Sequence, residues 1–554
     1  MTRVKRWEFA ETKLVNPESP RDIIDDLLSR RGFIDHEKRD RFLNPRLNDL
    51  ADPLRLQDMD KAVERVSHAL RQRDHILIYS DYDVDGMSSS ALLYRFLVKL
   101  GANVRVFIPE RISEGYGLSI SGLKRALSGK TDLVIALDCG TTSSDEVHWL
   151  NRQGIDVIII DHHELHDTLP PAHAFVNPQR GEHDHILSTA GLVFKFCHAF
   201  LKVQQTPELF NLKEHLDFVA LGTVADLVPL LEDNRILVRH GLNQLASTPH
   251  IGLQALMEIA NVRNEPTPAT VGFIIGPRLN ASGRLTEAMS GWELLITHDT
   301  SRATDLARNL NALNSERQRL ELTAYNEAVK LIEQQPPEDK AYCLVVAAEN
   351  WHQGVVGIVA SRLQRRFYTP AVVISLGESG GKGSARCIEG CSIMDALRDS
   401  APLLKAYGGH ALASGLEITA ANITPFRQAM NQWFKTNIAP AMYQERIMID
   451  LALPGRALTI ALAQETRRLQ PFGRQNEPPI FMVSGAKMLG GHRTFGNHHL
   501  KFTGIADGAK FNTVGFGLAE NIPAGDTYDL VGHWEMDDYT QRPVFRIIDW
   551  RSSS

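Results

Sequence analysis

HILIYSDYDVDGMSSSA, residues 75–91, is the stretch on which the reading of this chain turns. Ile76-Leu77-Ile78-Tyr79 is short, apolar and partly β-branched, with polar residues on both sides, and it reads as a buried strand. Asp81, Asp83 and Asp85 follow at alternate positions, then Gly86. The spacing opens like an EF-hand calcium loop. Such a loop needs a helix in front of it and a bidentate Glu at its twelfth position. Here a strand comes first and Leu92 holds that position, which excludes the EF-hand. In an extended segment alternate side chains share a face, so the three carboxylates are expected to point the same way. Three carboxylates in one place repel one another unless cations lie between them. Gly86 permits a sharp turn, and Ser88, Ser89 or Ser90 is expected to cap the helix that follows.

Around this stretch the chain alternates strand-like and helix-like segments. NVRVFIP from Asn103, DLVIALD from Asp132 and IDVIIID from Ile155 read as further strands, with SSALLYRFLVKLG and TSSDEVHWLNRQG as helices. Near-continuous apolar strands alternating with helices imply a parallel sheet covered on both faces. Ligands of such sheets bind beyond the carboxyl ends of the strands. Asp81, Asp138 and Asp161 each stand at such an end. His162 and His163 follow Asp161 directly, and LGTVADLVPL places Asp226 after an apolar stretch. Oxygen-rich donors with one or two imidazoles suit Mn²⁺ or Mg²⁺ better than structural zinc. Four or five carboxylates are too many for one ion. They fit a pair of ions roughly 3.5–4 Å apart flanking a phosphate.

The remaining chain reads differently. Over residues 300–335, Leu306, Leu310, Leu313 and Leu320 form a helical stripe that Thr300 or Ser301 can cap and Pro336-Pro337 stops. It is expected to connect two domains. A mixed α/β segment with AYCLVVAAE, AVVIS and glycine clusters follows. From about 445 the strands are short and separated by turns (RIMIDLAL, IFMVSGAKML, HHLKFTGIA, FNTVGFG, YDLVGHWEM, VFRIIDW), the pattern of a small barrel or sandwich. Within it, GGHRTFGNHHLKF mixes His492, Arg493, Phe495, His498, Lys501 and Phe502, a set suited to a single strand with exposed bases.

Composition limits the alternatives. With 43% hydrophobic and 23% charged residues over 554 positions, the chain is expected to be soluble, globular and multidomain. Its formal net charge of −6 leaves any nucleic-acid surface to a local basic groove. The start, MTRVKRWEFAETK, lacks the apolar stretch of a secretory signal, and no apolar run reaches the roughly 18 residues of a membrane span. Cys139, Cys197, Cys343, Cys387 and Cys391 are scattered and odd in number, which fits a reducing cytoplasm. Cys387 and Cys391 have no second ligand pair that would make a zinc site.

SDYDVDG, LDCG, DHHE and ALGTVADLVPL resemble the successive motifs of the DHH phosphoesterase superfamily. IGPRLNASGRL (275–285), WHQGVVGIVASRL (351–363), KGSAR (382–386) and YGGHALASG (407–415) resemble its RecJ branch, the single-strand-specific 5′→3′ exonucleases. The resemblance runs from about residue 65 to the C-terminus. It implies an α/β fold with a parallel-sheet DHH domain, a long connecting helix, a smaller α/β DHH-associated domain and a C-terminal OB-fold barrel. The expected limits are 1–60 for an N-terminal segment, 61–299 for the catalytic domain, 300–337 for the connecting helix, 338–440 for the substrate-binding domain and 441–554 for the OB-fold.

By the same resemblance Asp81, Asp83 and Asp138 would hold one metal, and Asp85, Asp138, His162 and Asp226 the second, with Asp138 bridging. His163 would contact the scissile phosphate or position the leaving group, and Asp161 would orient His162. Arg111, Arg278, Asn280 and Arg284 would serve phosphate and Tyr116 a base. Ser384, Arg386, Gly408, Gly409 and His410 would bind phosphate in the second domain, and Lys501 the strand in the third. Ser80 stands where the family more often has Gly. SAR followed by Cys387 replaces the commoner SGRS, so Ala385 is expected to narrow that pocket. The implied substrate is single-stranded DNA with a 5′ end. The implied setting is recombination and repair by a cytoplasmic monomer, with helicase and single-strand-binding protein as partners and no membrane. Two rivals stay open: a small-substrate DHH phosphodiesterase, whose chains usually lack the barrel, and a non-catalytic DHH scaffold, which would have lost its acidic ligands.

Overall fold

Five parallel strands carry the acidic stretch and its neighbours. They lie in the order Asn103–Phe107, His75–Ser80, Leu133–Leu137, Asp156–Ile160, Ala174–Val176. The computed structural model describes residues 5–10, 19–110, 117–181, 186–286, 288–378, 380–496, 498–520, 522–537 and 540–553. Arg111 and Tyr116 therefore lie outside the described residues. The chain divides into two units. One comprises Pro53–Asp226 and Leu242–Glu445; the other comprises the described parts of Met1–Asp52, Leu227–Gly241 and Arg446–Ser554. No helix among the described residues is long and apolar enough to cross a membrane.

In the first unit the strands are apolar on both faces because helices cover both. Leu77, Tyr79, Val134, Ala136, Val157 and Ile159 pack with Leu123, Val147 and Leu150 of the helices Ile120–Ala126 and Ser144–Asn151. The chain passes from His75–Ser80 to one side of the sheet and then returns to the other. The strand order therefore reverses between His75–Ser80 and Leu133–Leu137, the point at whose carboxyl ends such sheets bind their ligands. The register is regular: Ser80 pairs with Leu137, Leu137 with Ile160 and Ile160 with Val176. The N–H groups of Asp81, Asp138 and Asp161 continue this ladder, donating to Leu137 O (3.2 Å), Ile160 O (3.1 Å) and Val176 O (3.1 Å). The three aspartates thus leave the sheet as successive steps of one staircase.

The connecting helix is Thr300–Gln334, about 52 Å long at 1.5 Å per residue. Its cap is Asp299, which accepts from Arg302 N, so the capping expected of Thr300 or Ser301 is corrected by one position. The stripe is corrected too. Leu306 and Leu310 are buried, but the buried row continues through Asn314, Arg317 and Glu321 instead of Leu313 and Leu320. Glu321 receives Arg317 Nη1 at 2.8 Å and Arg362 Nη1 at 3.0 Å, so paired charges fill the middle of the stripe. Beyond the helix, a mixed sheet runs in the order Leu404–Gly409, Ala413–Ile418, Gly380–Arg386, Ala371–Gly377, Leu344–Glu349.

The second unit is a closed barrel. Phe481–Phe495, His499–Ala506, Ala509–Gly515, Pro543–Ser552 and Thr527–Met536 pair in that order, and the last returns to the first. Its core extends into the chain's opening residues: Ile23, Ile24, Leu27, Leu28 and Phe42 pack with Phe481, Leu500 and Trp534. The strand Arg6–Phe9 pairs in parallel with Arg446–Ile449. Arg235 is buried over the Phe42 ring at 3.8 Å and donates to the carbonyls of Phe42, Leu469, Pro471, Arg468 and Gln470.

Candidate metal centre

Local chemistry sets each ligand. Asp81 continues the strand His75–Ser80, but the extended run expected from the alternating aspartates ends there. Asp83 is the N-cap of the helix Val84–Lys99, its Oδ1 accepting from Asp85 N (2.9 Å) and Gly86 N (3.1 Å). The serines do not cap. Ser89 and Ser90 donate to Gly86 O at 2.9 and 2.7 Å inside the first turns. Aspartate wins the cap because its carboxylate sits directly before the helix start. Convergence of the three carboxylates therefore comes from a strand end, a cap and a first helical turn. Gly86 is required by close approach: a Cβ there would lie 2.4 Å from Asp81 O. Ser80, the departure from the family pattern, donates its hydroxyl to Gly86 O at 2.7 Å and tightens the same turn.

Around this turn the groups converge. Ligand atoms of Asp81, Asp83 and Asp138 lie within 4.8 Å of one another, as do those of Asp85, His162 and Asp226, and those of Asp138, His162 and His163. His162 Nε2 lies 3.3 Å from Asp138 Oδ1, 3.3 Å from Asp226 Oδ2 and 3.9 Å from Asp85 Oδ2. Asp226 reaches this point from the end of the helix Leu216–Ala225. Asp138 belongs to both halves, and its backbone takes a left-handed φ of 60°.

Asp161 is not part of the cluster, and its partner differs from the expected one. Oδ1 accepts from His163 Nδ1 at 2.6 Å, while His162 reaches it only through its backbone N–H (2.8 Å). Oδ2 accepts from Thr141 N (3.0 Å) and Oγ1 (2.6 Å). Asp161 therefore orients His163, because its position on the strand end puts the second imidazole within reach.

Burial and like charges shift the protonation of the cluster's members. Burial, then the charges of Asp138 and Asp226, push Asp83 up to about 7. Asp81 and Asp85 are raised well above the usual carboxylate range by burial and by their acidic neighbours. Burial opposes protonation of His162, yet the close carboxylate of Asp138, 3.3 Å away, and the charges of Asp226 and Asp85 raise it to about 10. Burial likewise opposes protonation of His163, and its bond to Asp161 prevails, raising it to about 9. Buried His162 Nε2 and Asp81 Oδ1 have no hydrogen-bond partner among the described residues. Hard carboxylate oxygens, one imidazole and orphaned donor atoms fit a pair of Mn²⁺ or Mg²⁺ ions.

Sequence reasoning missed the residues that hold the ligands. At the start of the helix Thr189–Gln204, Thr189 N and Ala190 N donate to Asp85 Oδ2 (2.7 Å) and Oδ1 (2.9 Å), and Thr189 Oγ1 donates to Asp138 Oδ1 at 2.9 Å. Gly222 leaves room for Asp85: a Cβ there would lie 2.2 Å from Asp85 Oδ1. STAG (188–191) ahead of an apolar run could have been read as a helix start, but not its partners.

The other candidates fall into separate groups. Arg284 Nη1 donates to Gly354 O at 3.3 Å, joining the helix Gly276–Leu285 to the start of Gln353–Phe367. Asn280 is half-buried on the same helix. Arg278 turns to the connecting helix, donating to Asn311 Oδ1 (3.0 Å) and Ile274 O (2.7 Å). Arg386 Nη1 donates to Ser384 Oγ at 2.8 Å, and Arg386 Nε to Ser361 Oγ at 3.2 Å. Ala385 points the opposite way, fully buried among Val345, Val372 and Ile374, so it does not narrow that pocket. Strand alternation explains the correction. Gly408 and Gly409 end an exposed strand. His410 Nδ1 lies 3.7 Å from Glu164, the residue after His163. On the barrel, Lys501 is exposed with Nζ 5.8 Å from the Phe495 ring centre. Phe502 is buried against Trp550 and cannot serve the surface, whereas Phe516, unnoticed in the sequence, is 54% exposed beside Phe495 and His499.

An acidic cluster at the switch point of a doubly wound sheet defines the phosphoesterase class to which the chain's family models correspond. The DHH family, N-terminal domain, matches residues 75–223, the DHHA1 domain 340–436 and the RecJ OB domain 449–548. The single-stranded-DNA-specific exonuclease RecJ of Dickeya dadantii is 34% identical over 90% of this chain and 89% of its own. RecJ of Bacillus subtilis is also 34% identical, over 94% of this chain, which spans 66% of that protein's length. RecJ of Thermus thermophilus in complex with Mn²⁺ superposes with a TM-score of 0.83 at 29% identity, over 99% of this chain and 80% of its own. A second structure of it, with Mg²⁺, gives 0.78 at 27% identity over 99% and 79%. The chain belongs to the RecJ family.

Proposed function

We propose that the chain hydrolyses single-stranded DNA from its 5′ end and releases 5′-mononucleotides. The observation that carries this reading is a single cluster in which Asp138 lies within ligand reach of Asp81 and Asp83 on one side and of His162 on the other, His162 also lying within reach of Asp85 and Asp226. Asp81, Asp83 and Asp138 would hold one cation, and Asp85, Asp138, His162 and Asp226 the other. Bound there, Mn²⁺ or Mg²⁺ supplies a water of lowered pKa and neutralises charge on the phosphoryl oxygens. His163, kept protonated by Asp161, donates to the scissile phosphate or the departing oxygen. Ser384, Arg386 and His410, with the glycines Gly408 and Gly409, bind the terminal phosphate, supported by Arg284 and Asn280. Arg111 serves phosphate and Tyr116 stacks on a base, and Lys501 with Phe495 engages the strand farther along.

In this reading the enzyme is a cytoplasmic monomer acting in recombination and repair, with helicase and single-strand-binding protein as partners. The scaffold alternative is disfavoured because every acidic ligand is present, and the small-substrate alternative because a barrel is. Digestion of 5′-labelled and 3′-labelled single strands and of duplex, with and without Mn²⁺, tests the proposal. The 5′ label is expected first, as a mononucleotide, with duplex resistant and chelator abolishing release. Early loss of the 3′ label, or undiminished digestion in chelator, would sink it.

A further inference from the structure

We infer that the start of the helix Thr189–Gln204 is the positioning element of the metal centre, and that the Thr189 hydroxyl sets the orientation of the carboxylate shared by its two halves. The inference rests on the two-cation reading. Asp85 and Asp138 sit on different elements, one in a helix and one at a strand end, yet both are held from the same helix start. Both oxygens of Asp85 accept a backbone N–H, from Thr189 and Ala190. Asp138 Oδ1 accepts the Thr189 hydroxyl, and the same oxygen faces His162.

The helix start is itself anchored. Ser188 accepts from Gly191 N, and its hydroxyl lies 2.9 Å from Thr223 Oγ1 on the helix that delivers Asp226. One buried turn thus fixes Asp85 and Asp138 and the element carrying Asp226.

A carboxylate that would serve two cations at once works only in a fixed orientation, so whatever restrains its χ2 bears on both. The donors to Asp85 are backbone amides, which side-chain substitutions other than proline leave in place. The restraint on Asp138 is a side-chain hydroxyl that substitution can remove. Thr189 is wholly buried with its hydroxyl on Asp138, so it acts through that carboxylate. Partners of this kind typically alter metal affinity by about 10–100-fold when lost.

The test uses the full chain with Thr189→Val, which keeps the shape and removes the hydroxyl, and Thr189→Ser, which keeps the hydroxyl. Mn²⁺ uptake is measured by calorimetry and by the electron paramagnetic resonance of the bound ions, alongside the melting temperature of the metal-free protein. The valine variant is expected to melt like the wild type when metal-free. It should bind its weaker Mn²⁺ about 10–100-fold less tightly, and the spin-coupled signal of the pair should give way to that of isolated Mn²⁺. The serine variant should restore both. Should the valine variant fail to fold, Thr189→Ala compared with Thr189→Ser isolates the hydroxyl, since both lack the methyl. Wild-type Mn²⁺ affinity and coupling in the valine variant, or a serine variant as impaired as the valine, overturns the inference. A wild-type protein that takes up no Mn²⁺ would overturn the two-cation reading itself.

Discussion

Asp138 is the carboxylate common to both halves of the cluster, and it is where substitution should tell most. Asp138→Asn, or Asp83→Ala, is expected to lower Mn²⁺-dependent turnover by at least about 10²–10³. Binding of a single strand, followed by fluorescence anisotropy, should be little changed. A second test lies away from the metals. His215 stacks on Phe210, its Nδ1 lies 3.2 Å from His250 Nε2, and His250 faces Asp217 at 3.5 Å. Burial, then the charges of His250 and Arg95, depress His215 to about 3 from its ordinary 6.5. Between those values the unfolded chain binds a proton that the folded chain refuses, so stability rises with pH. The contribution is whole above about 6.5 and is lost on the way down to about 3. His215→Gln should flatten the acid limb of a melting-temperature-against-pH curve, by up to about 1 kcal/mol per pH unit. At this scale Asp81, Asp83 and Asp85 were legible because their spacing is local, and Asp138 because it ends an apolar run. Thr189 was not, because its partner Asp138 lies 51 residues away.

Helices and strands were legible to the extent that their signals lie within a few residues. Apolar runs marked the strands of the parallel sheet, and Pro336 marked the end of the connecting helix. Competition between adjacent caps was decided by geometry that composition does not carry: Asp83 prevailed over Ser88–Ser90, and Asp299 over Thr300. The buried polar row of the connecting helix was hidden for a related reason. Arg317 and Glu321 can be buried only because Arg362, on another helix, completes the pairing. Arg235 is the corresponding case in the barrel unit. Arg235→Ala would leave five carbonyls, three of them in buried bonds, without their guanidinium, and a loss of about 3 kcal/mol or more is expected in the denaturation of that unit. Arg235→Lys should recover only part, since an ammonium has fewer donors and no planar fork.

Across the whole molecule, the order of domain signatures could be read from the sequence, but not the company each segment keeps. Ile23, Leu27, Leu28 and Phe42 complete the core of a barrel more than four hundred residues later in the chain. Deleting residues 1–52 should therefore destabilise the barrel more than the parallel-sheet unit, seen as an earlier loss of Trp534 and Trp550 fluorescence on heating. Strand binding is better tested on the surface. Combined Phe495→Ala, Phe516→Ala and Lys501→Ala is expected to raise KM for long single strands by about tenfold or more, as lost stacking would. Cleavage of very short strands should be spared; equal effects on both lengths would count against a strand-engaging barrel.

The staircase of N–H groups at Asp81, Asp138 and Asp161 has one more implication. Because these amides belong to the ladder itself, Asp81, Asp138 and Asp161 cannot wander unless the sheet frays beneath them. In heavy water their protons should be among the last to leave, at rates set by opening of the entire sheet.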